Sequence, residues 1–202
     1  MSIRKGKNYP YGIHVKDMKY LTKDLPIEKM PEPAKVYISM SQHIGAPALP
    51  VVAVGDKVKK GQLVGEASGA ISANVFASIA GTVTEITDIV NGMGQKQKYV
   101  VIENDGSGEE TFFDEMTSFE PKDLVERIRL AGIVGLGGAG FPTAVKLSPK
   151  TKLDALVING AECEPYLNCD YRLMLERTED IYKGIMYTAR ALGIKRIIFG
   201  IE

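Results

Sequence analysis

Two hydrophobic patterns divide the chain into a first and a second half. Between residues 35 and 104, short runs rich in Val and Ile are separated by glycine turns, and no helical period occurs. The clearest runs are 36–40, 51–54, 81–86 and 99–102. Because such runs are typical of strands, we predict an all-β domain over residues 35–104.

Helix and strand patterns alternate from residue 121 to residue 202. Leu124, Val125 and Ile128 recur at helical spacing after Pro121, and Gly132 is a natural stop. We predict buried strands at 153–159 and 195–201, with helix over 170–192 in one or two pieces between them. A strand–helix–strand unit predicts parallel strands with a right-handed crossover.

The composition between these regions predicts the domain boundaries. Residues 1–34 are polar and rich in proline, so we expect an extended lead-in, and residues 105–120 form an acidic linker. Residues 121–202 then form an α/β domain. A parallel sheet normally has more strands than this stretch provides, so we expect the chain to be the N-terminal fragment of a longer polypeptide.

Charge and residue usage exclude several function classes. The 202 residues include 25 Lys and Arg and 25 Asp and Glu, so the net charge is zero and nucleic-acid binding is not expected. No apolar run is long enough for direct membrane insertion. The two cysteines, Cys163 and Cys169, do not have metal-site spacing, and His14 and His43 are expected to be structural. We therefore predict no metal site and no catalytic side chain in this chain.

The richest chemical motif is Gly-Leu-Gly-Gly-Ala-Gly-Phe-Pro-Thr-Ala-Val-Lys at residues 135–146. Glycines let a backbone approach a ligand closely, and their amides can bind an anion. A helix precedes the motif, whereas a strand precedes the glycines of a dinucleotide fingerprint, and no Walker lysine follows. A tight structural turn is the alternative, but Phe141 and Lys146 favour a flat, phosphate-bearing ligand.

A second motif, Asn159-Gly-Ala-Glu-Cys-Glu-Pro-Tyr166, follows the predicted strand 153–159. Ligands of open α/β sheets bind at the carboxyl ends of strands, and this motif lies at such an end. We expect one pocket, with the glycine amides on one wall and the carboxylates of Glu162 and Glu164 on the opposite wall.

The first half resembles the barrel-sandwich fold of biotinyl and lipoyl domains. The resemblance rests on Val54 to Val64, with Gly-Asp and Lys-Gly turns, and on Ala77 to Val83. A carrier domain needs a lysine at its hairpin tip, which here falls near residues 69–71. No lysine occurs between Lys60 and Lys96, so we expect an unmodified scaffold or docking domain.

Both halves together resemble the C subunit of the Rnf complex, the membrane-bound ferredoxin:NAD⁺ oxidoreductase. The resemblance rests on residues 21–27, 41–47 and 65–73 and on the motifs at 135–146 and 159–166. The last two motifs are similar to the FMN- and NADH-binding motif of the flavoprotein subunit of respiratory complex I. The resemblance implies an N-terminal fragment with a barrel-sandwich hybrid domain followed by an incomplete α/β FMN-binding domain.

The resemblance also implies the cofactors, partners and location. It implies electron transfer between NAD(H), FMN and 4Fe–4S clusters, with the cluster ligands in the downstream region, so that the fragment alone is inactive. The implied partners are the membrane-embedded Rnf subunits, which translocate ions, and indirectly ferredoxin. The implied location is peripheral, at the cytoplasmic face of the cell membrane.

The resemblance assigns binding roles to eight residues. Glycine backbone would line the flavin, Lys146 would approach its phosphate or ribityl oxygens, and Phe141 would stack on NADH. Asn159 would hydrogen-bond the flavin, and the two glutamates would set electrostatics and orientation. The cofactor-binding residues are Gly135, Gly137, Gly138, Phe141, Lys146, Asn159, Glu162 and Glu164.

Two departures from the complex I pattern leave alternatives open. Gly160 and Ala161 stand where an aspartate is expected, and no second aromatic follows Lys146. A non-catalytic scaffold or docking subunit that has lost flavin binding is therefore one alternative. A related electron-transfer subunit that serves a soluble reductase is another.

Overall fold

The computed structural model describes residues 15–201. Residues 1–14 of the predicted lead-in, His14 among them, lie outside the described residues, as does Glu202. The described part has a β-rich first half and an α/β second half, in the order that the two hydrophobic patterns predict. The predicted fold class is therefore confirmed.

Seven strands build the first half. They are β1 (Lys35–Ser39), β2 (Leu49–Pro50), β3 (Lys57–Val58), β4 (Leu63–Glu66), β5 (Val75–Phe76), β6 (Gly81–Val90) and β7 (Lys96–Asn104). One sheet has the order β1–β7–β6–β3 and the other the order β2–β4–β5. All neighbouring strands are antiparallel, and β6 and β7 form a long hairpin that projects beyond the other strands.

A single apolar core joins the two sheets. Its most buried side chains come from both sheets and from the loop after β1: Met40, Val64, Val83, Val100 and Ile102, each with 0% exposure. Full burial of such a side chain stabilises the fold by about 1.5–3 kcal/mol. This packing explains why the alternating Val and Ile positions adopt strands, with the core on one face of each sheet.

The predicted strand at 51–54 is wrong. The strand β2 ends at Pro50, and Val51 and Val54 are 48% and 62% exposed. Asp56 explains the difference, because its carboxylate accepts a hydrogen bond from the Ala53 amide at 2.8 Å. Gly55 adopts φ 97°, so a turn forms where the valines alone favour a strand.

Six elements build the second half. They are α1 (Pro121–Leu130), α2 (Thr143–Lys146), β8 (Leu156–Gly160), α3 (Cys169–Glu176), α4 (Thr178–Leu192) and β9 (Ile197–Ile201). The helices α1 and α4 are followed by Gly132 and Gly193 at φ 63° and 65°, as predicted. Strand β8 begins at Leu156 rather than Leu153, and β9 begins at Ile197 rather than Lys195.

The two strands of the second half are parallel, as the strand–helix–strand pattern predicts. Asn159 lies opposite Gly200 in the register, so the acidic motif begins at the carboxyl edge of this sheet. Among residues 15–201, no helix combines the length and apolar character that a membrane crossing requires.

Loops of the first half contact the region around the glycine motif. The Asn74 side chain donates to the Leu130 carbonyl at the end of α1, at 2.9 Å. The Ile44 amide donates to the Ala139 carbonyl at 3.1 Å. The β-rich half therefore supports the glycine motif directly.

Candidate functional site

The glycine motif forms a loop that is closed at its base by backbone hydrogen bonds. Gly135 donates to the Phe141 carbonyl at 3.0 Å, and Thr143 donates to the Ile133 carbonyl at 2.8 Å. The single-turn helix α2 follows at once. The loop therefore differs from a dinucleotide fingerprint, in which a strand leads into a long helix. We call residues 135–141 the glycine loop.

The fold itself requires glycine at only one tip position of this loop. Gly140 has φ +64°, and a Cβ there would lie 2.9 Å from the Gln42 carbonyl oxygen and from His43 Cα. Gly137 and Gly138 have no positive φ, and a Cβ at either would meet no heavy atom of the described chain within 4 Å. Packing and backbone conformation thus leave open why these two positions lack a side chain.

Lys146 places a positive charge over the glycine loop. Its Nζ lies 6.0 Å from the centre of the Phe141 ring, and it is 3.2 Å from where a Cβ on Gly135 would stand. The lysine is exposed and Phe141 is half-buried. The structure therefore brings three of the predicted site residues together, Gly135, Phe141 and Lys146.

The acidic motif is shaped by local side-chain hydrogen bonds. The Asn159 Oδ1 atom accepts a bond from the Ala161 amide at 3.1 Å, which turns the chain at the end of β8. Glu162 then caps α3, because its carboxylate accepts bonds from the Asp170 amide at 3.1 Å and the Tyr171 amide at 3.3 Å. Glu164 is exposed.

The charge of Glu162 is stabilised in this position. Burial disfavours the ionised form, but the hydrogen bonds that the carboxylate accepts outweigh burial and hold the pKa of Glu162 below its ordinary value. One of those bonds comes from the Cys169 thiol at 2.9 Å, and it raises the pKa of Cys169. Glu162 is therefore an ionised helix cap in this structure, a role that the sequence motif alone does not predict.

The ligand atoms of Glu162, Cys169 and Asp170 lie within 4.8 Å of one another. The Glu162 carboxylate already accepts three hydrogen bonds there. The cluster is explained by capping of α3. Cys163 and Cys169 are both exposed and are not joined by a disulfide in this structure.

A strap from the N-terminal region holds the acidic motif, and sequence reasoning missed it. We call residues 17–27 the strap. The Asp17 carbonyl accepts a 2.6 Å bond from the amide of Tyr166, whose φ is 68°, and Lys19 Nζ donates to the Glu162 carbonyl. The buried Asn168 side chain donates to the Lys19 carbonyl at 2.9 Å. The lead-in therefore packs on the second half over this stretch.

The glycine loop and the acidic motif line different cavities. Gly135 and Gly138 line a cavity of about 580 Å³ whose other walls come from the first half. Glu162 lines a cavity of about 470 Å³ together with Lys19 and Lys23 of the strap. The expectation of one pocket between amides and carboxylates does not match these cavities, because capping turns the Glu162 carboxylate toward α3.

His43 has the structural role that was expected. Its Nδ1 lies 3.1 Å from the Ile44 carbonyl, and its Nε2 lies 3.1 Å from both the carbonyl and the amide nitrogen of Ala73. The ring therefore ties two loops of the first half together beside the glycine loop.

Comparisons with known proteins match both halves of the chain. Residues 7–107 match the family described as the RnfC barrel sandwich hybrid domain. Residues 128–202 match the family described as the Nuo51 FMN-binding domain. The glycine loop and the acidic motif both lie within the second match.

Curated proteins show the same similarity over nearly the whole chain. The C subunit of a proton-translocating ferredoxin:NAD⁺ oxidoreductase complex from Clostridium ljungdahlii is 43% identical over 97% of this chain and 44% of its own length. The C subunit of an ion-translocating oxidoreductase complex from Rhodobacter capsulatus is 44% identical over 95% of this chain and 38% of its own length.

The C subunit of a sodium-translocating ferredoxin:NAD⁺ oxidoreductase complex from Acetobacterium woodii is 38% identical over 100% of this chain and 47% of its own length. The chain thus spans less than half the length of these relatives.

Proposed function

This chain belongs to the family of Rnf complex C subunits, and on that premise we propose that it is part of an electron-transfer subunit of a membrane-associated, NAD-linked redox complex. The subunit lies peripherally at the cytoplasmic face of the cell membrane and docks on membrane-embedded partners. Those partners couple electron transfer to ion translocation and connect it to ferredoxin.

FMN is the proposed cofactor of the glycine loop, and the open space at Gly137 and Gly138 is the observation that carries this assignment. Neither the fold nor a close neighbour in the described chain requires glycine at these positions. A flat ring that lies against bare backbone does require it, since any side chain would hold the ring away. The residues present therefore fit a flavin.

Lys146 is the proposed partner of the flavin phosphate or ribityl oxygens. Its Nζ lies next to Gly135 and 6.0 Å from the Phe141 ring centre. A mobile ammonium with three donors suits a phosphate. Phe141, half-buried beside it, offers a ring face on which part of NADH stacks.

Three residues of the acidic motif have proposed roles. The Oδ1 atom of Asn159 is engaged with Ala161, which leaves Nδ2 of the same amide to donate to a flavin oxygen. Glu162 fixes the start of α3 through its capping bonds and contributes a negative charge to this edge of the sheet. Glu164 is exposed and contributes charge toward the nicotinamide.

When FMN is bound, it supplies the hydride and single-electron chemistry. The protein's contribution is alignment of donor and acceptor, which lowers the entropic part of the activation barrier. Lys146 and the loop amides hold the anionic end, while Phe141 limits how NADH can lie. We place the ligands of the 4Fe–4S clusters in the part of the relatives' length that this chain does not match. We therefore expect residues 1–202 alone to be inactive.

A scaffold role without flavin is the second candidate. The observation in its favour is that Glu162 already serves as a helix cap and that the two motifs line different cavities. The match of residues 128–202 to an FMN-binding domain favours the redox role instead. A subunit that serves a soluble reductase would use the same site chemistry.

One experiment distinguishes the redox role from the scaffold role. A chain extended to the length of the relatives is reconstituted with FMN, and NADH-dependent reduction of a dye is followed. The redox role predicts that Lys146→Ala lowers FMN affinity about tenfold or more, since a charged hydrogen bond is worth about 1.5–3 kcal/mol. The scaffold role predicts no flavin uptake and unchanged turnover of the complex in the Lys146→Ala variant.

A further inference from the structure

We propose that His43 is a positioning residue of the cofactor site, which holds the glycine loop in shape by joining two loops of the first half. The inference rests on the proposed function and gives a role in that site to a residue outside the FMN-binding match, which begins at residue 128. The two loops are the loop after β1, residues 40–48, and the loop after β4, residues 67–74. His43 is assigned no contact with the cofactor, since it acts through these loops.

The loop after β1 holds the end of the glycine loop. The Ile44 amide donates to the Ala139 carbonyl at 3.1 Å. At the next residue, Gly140, the two backbones pack so closely that a Cβ would lie 2.9 Å from the Gln42 carbonyl oxygen and from His43 Cα. A displacement of the loop after β1 would therefore displace the glycine loop with it.

The loop after β4 holds the segment that leads into the glycine loop. The Asn74 side chain accepts a bond from the Ala67 amide and donates one to the Leu130 carbonyl, both at 2.9 Å. Gly132 packs on the same loop, since a Cβ there would lie 2.2 Å from the Asn74 carbonyl oxygen. Residues 133–138, which include the bare part of the glycine loop, thus lie between one contact to each loop of the first half.

The His43 ring joins the two loops right beside these contacts. Its Nδ1 lies 3.1 Å from the carbonyl of Ile44, and its Nε2 lies 3.1 Å from the amide nitrogen of Ala73, the residue before Asn74. A neutral imidazole with its proton on Nδ1 satisfies both loops, because Nδ1 then donates to Ile44 and Nε2 accepts from Ala73. The ring therefore fixes the separation of the two contacts that hold the glycine loop.

Two carboxamide substitutions separate the two bonds of the ring. The side-chain amide of a glutamine reaches the position of Nε2, so His43→Gln keeps an acceptor for the Ala73 amide. The shorter side chain of His43→Asn reaches only the position of Nδ1 and keeps the local bond to Ile44. Val83→Ala is the control for a general loss of stability, because Val83 is a fully buried core residue on β6.

The test uses the chain extended to the length of the relatives and begins without FMN. Hydrogen exchange is measured at the Gly135 amide, which closes the glycine loop by its bond to the Phe141 carbonyl. It is also measured at the Ala46 amide, whose bond to the Ile71 carbonyl joins the two loops of the first half. The same proteins are then titrated with FMN, and the visible circular dichroism of the bound flavin is recorded.

We expect His43→Asn to accelerate exchange at Gly135 and to weaken FMN binding, each about three- to tenfold, as the loss of one hydrogen bond implies, and to change the flavin dichroism. His43→Gln and Val83→Ala should match the wild type in all three measurements. Acceleration in His43→Asn that is confined to Ala46, or equal acceleration at Gly135 in His43→Gln or Val83→Ala, would overturn the inference. A wild type that takes up no FMN would instead overturn the proposed function, on which the exchange measurement does not depend.

Discussion

At the residue scale, glycines of the same loop have different physical reasons to be glycine. Gly140 is required by its positive φ and by the backbone of the loop after β1. At Gly137 and Gly138, neither the backbone conformation nor a neighbouring atom requires glycine. In the sequence the four glycines of the motif look equivalent. Only the geometry separates the structural glycine from those that are free to contact a ligand.

This difference predicts effects of different size on stability for two matched substitutions. Gly140→Ala should lower the free energy of unfolding by about 1–3 kcal/mol, since it strains the left-handed backbone and meets Gln42. Gly137→Ala should change it by less than about 0.5 kcal/mol, as an exposed substitution does. Denaturant unfolding of the two variants measures both values, and equal effects would contradict the distinction.

Glu162 gives a pH-dependent prediction. Its folded-state pKa lies below the ordinary value of 4.5, so the stabilisation by its carboxylate is complete above that value and is lost as the pH falls through the folded pKa. Glu162→Gln should therefore be less stable than wild type at pH 7, and the difference should shrink below pH 4.5.

Unfolding of both proteins across pH 3 to 7 provides the measurement for this capping role. Asp170→Asn is a suitable control, because its side chain makes no bond to the α3 amides that Glu162 caps. A stability difference that stays constant as the pH falls would show that the charge of Glu162 does not stabilise α3.

At the element scale, the sequence predicts features that depend on local pattern better than features that depend on long-range contacts. The helix ends at Gly132 and Gly193 and the parallel strands β8 and β9 all follow from local spacing and glycine chemistry. The strap does not, because its bonds to the acidic motif and to the start of α3 join backbone carbonyls to residues about 150 positions away. A carbonyl carries no sequence signal for such a partner.

The strap predicts a local effect of one buried side chain. Asn168→Ala removes bonds to the Lys19 carbonyl at 2.9 Å and to the Thr22 hydroxyl at 2.8 Å. The loss should cost about 1–3 kcal/mol of local stability, since two hydrogen bonds donated by a buried side chain disappear, each worth about 0.5–1.5 kcal/mol. Hydrogen exchange at the Tyr166 amide, which bonds to Asp17, should accelerate about tenfold or more.

Thr22→Val serves as the control for this prediction, because it removes one of the two bonds and keeps the side-chain shape. It should produce a smaller acceleration at Tyr166 than Asn168→Ala does. Unchanged exchange in Asn168→Ala would show that the strap does not hold the acidic motif.

At the scale of the whole molecule, the two halves share the site that the sequence assigns to the second half alone. Loops of the first half contact Ala139 and Gly140, and the β6–β7 hairpin lines the same cavity as Gly135. The sequence predicts both folds and the ligand class, but not this junction, since it depends on how two separately patterned regions pack. The division at residues 105–120 stays a prediction.

The most direct test of the account is the flavin content of the chain extended to the length of the relatives, purified as wild type, Gly137→Val and Gly184→Val. Gly184 is an exposed helical glycine with no neighbour near a Cβ, so its variant controls for the added side chain. We predict stoichiometric FMN in the wild type and in Gly184→Val, and loss of FMN in a folded Gly137→Val protein. Full flavin content in Gly137→Val, or a wild type that takes up no FMN, would contradict the proposal that the bare glycine loop receives the cofactor.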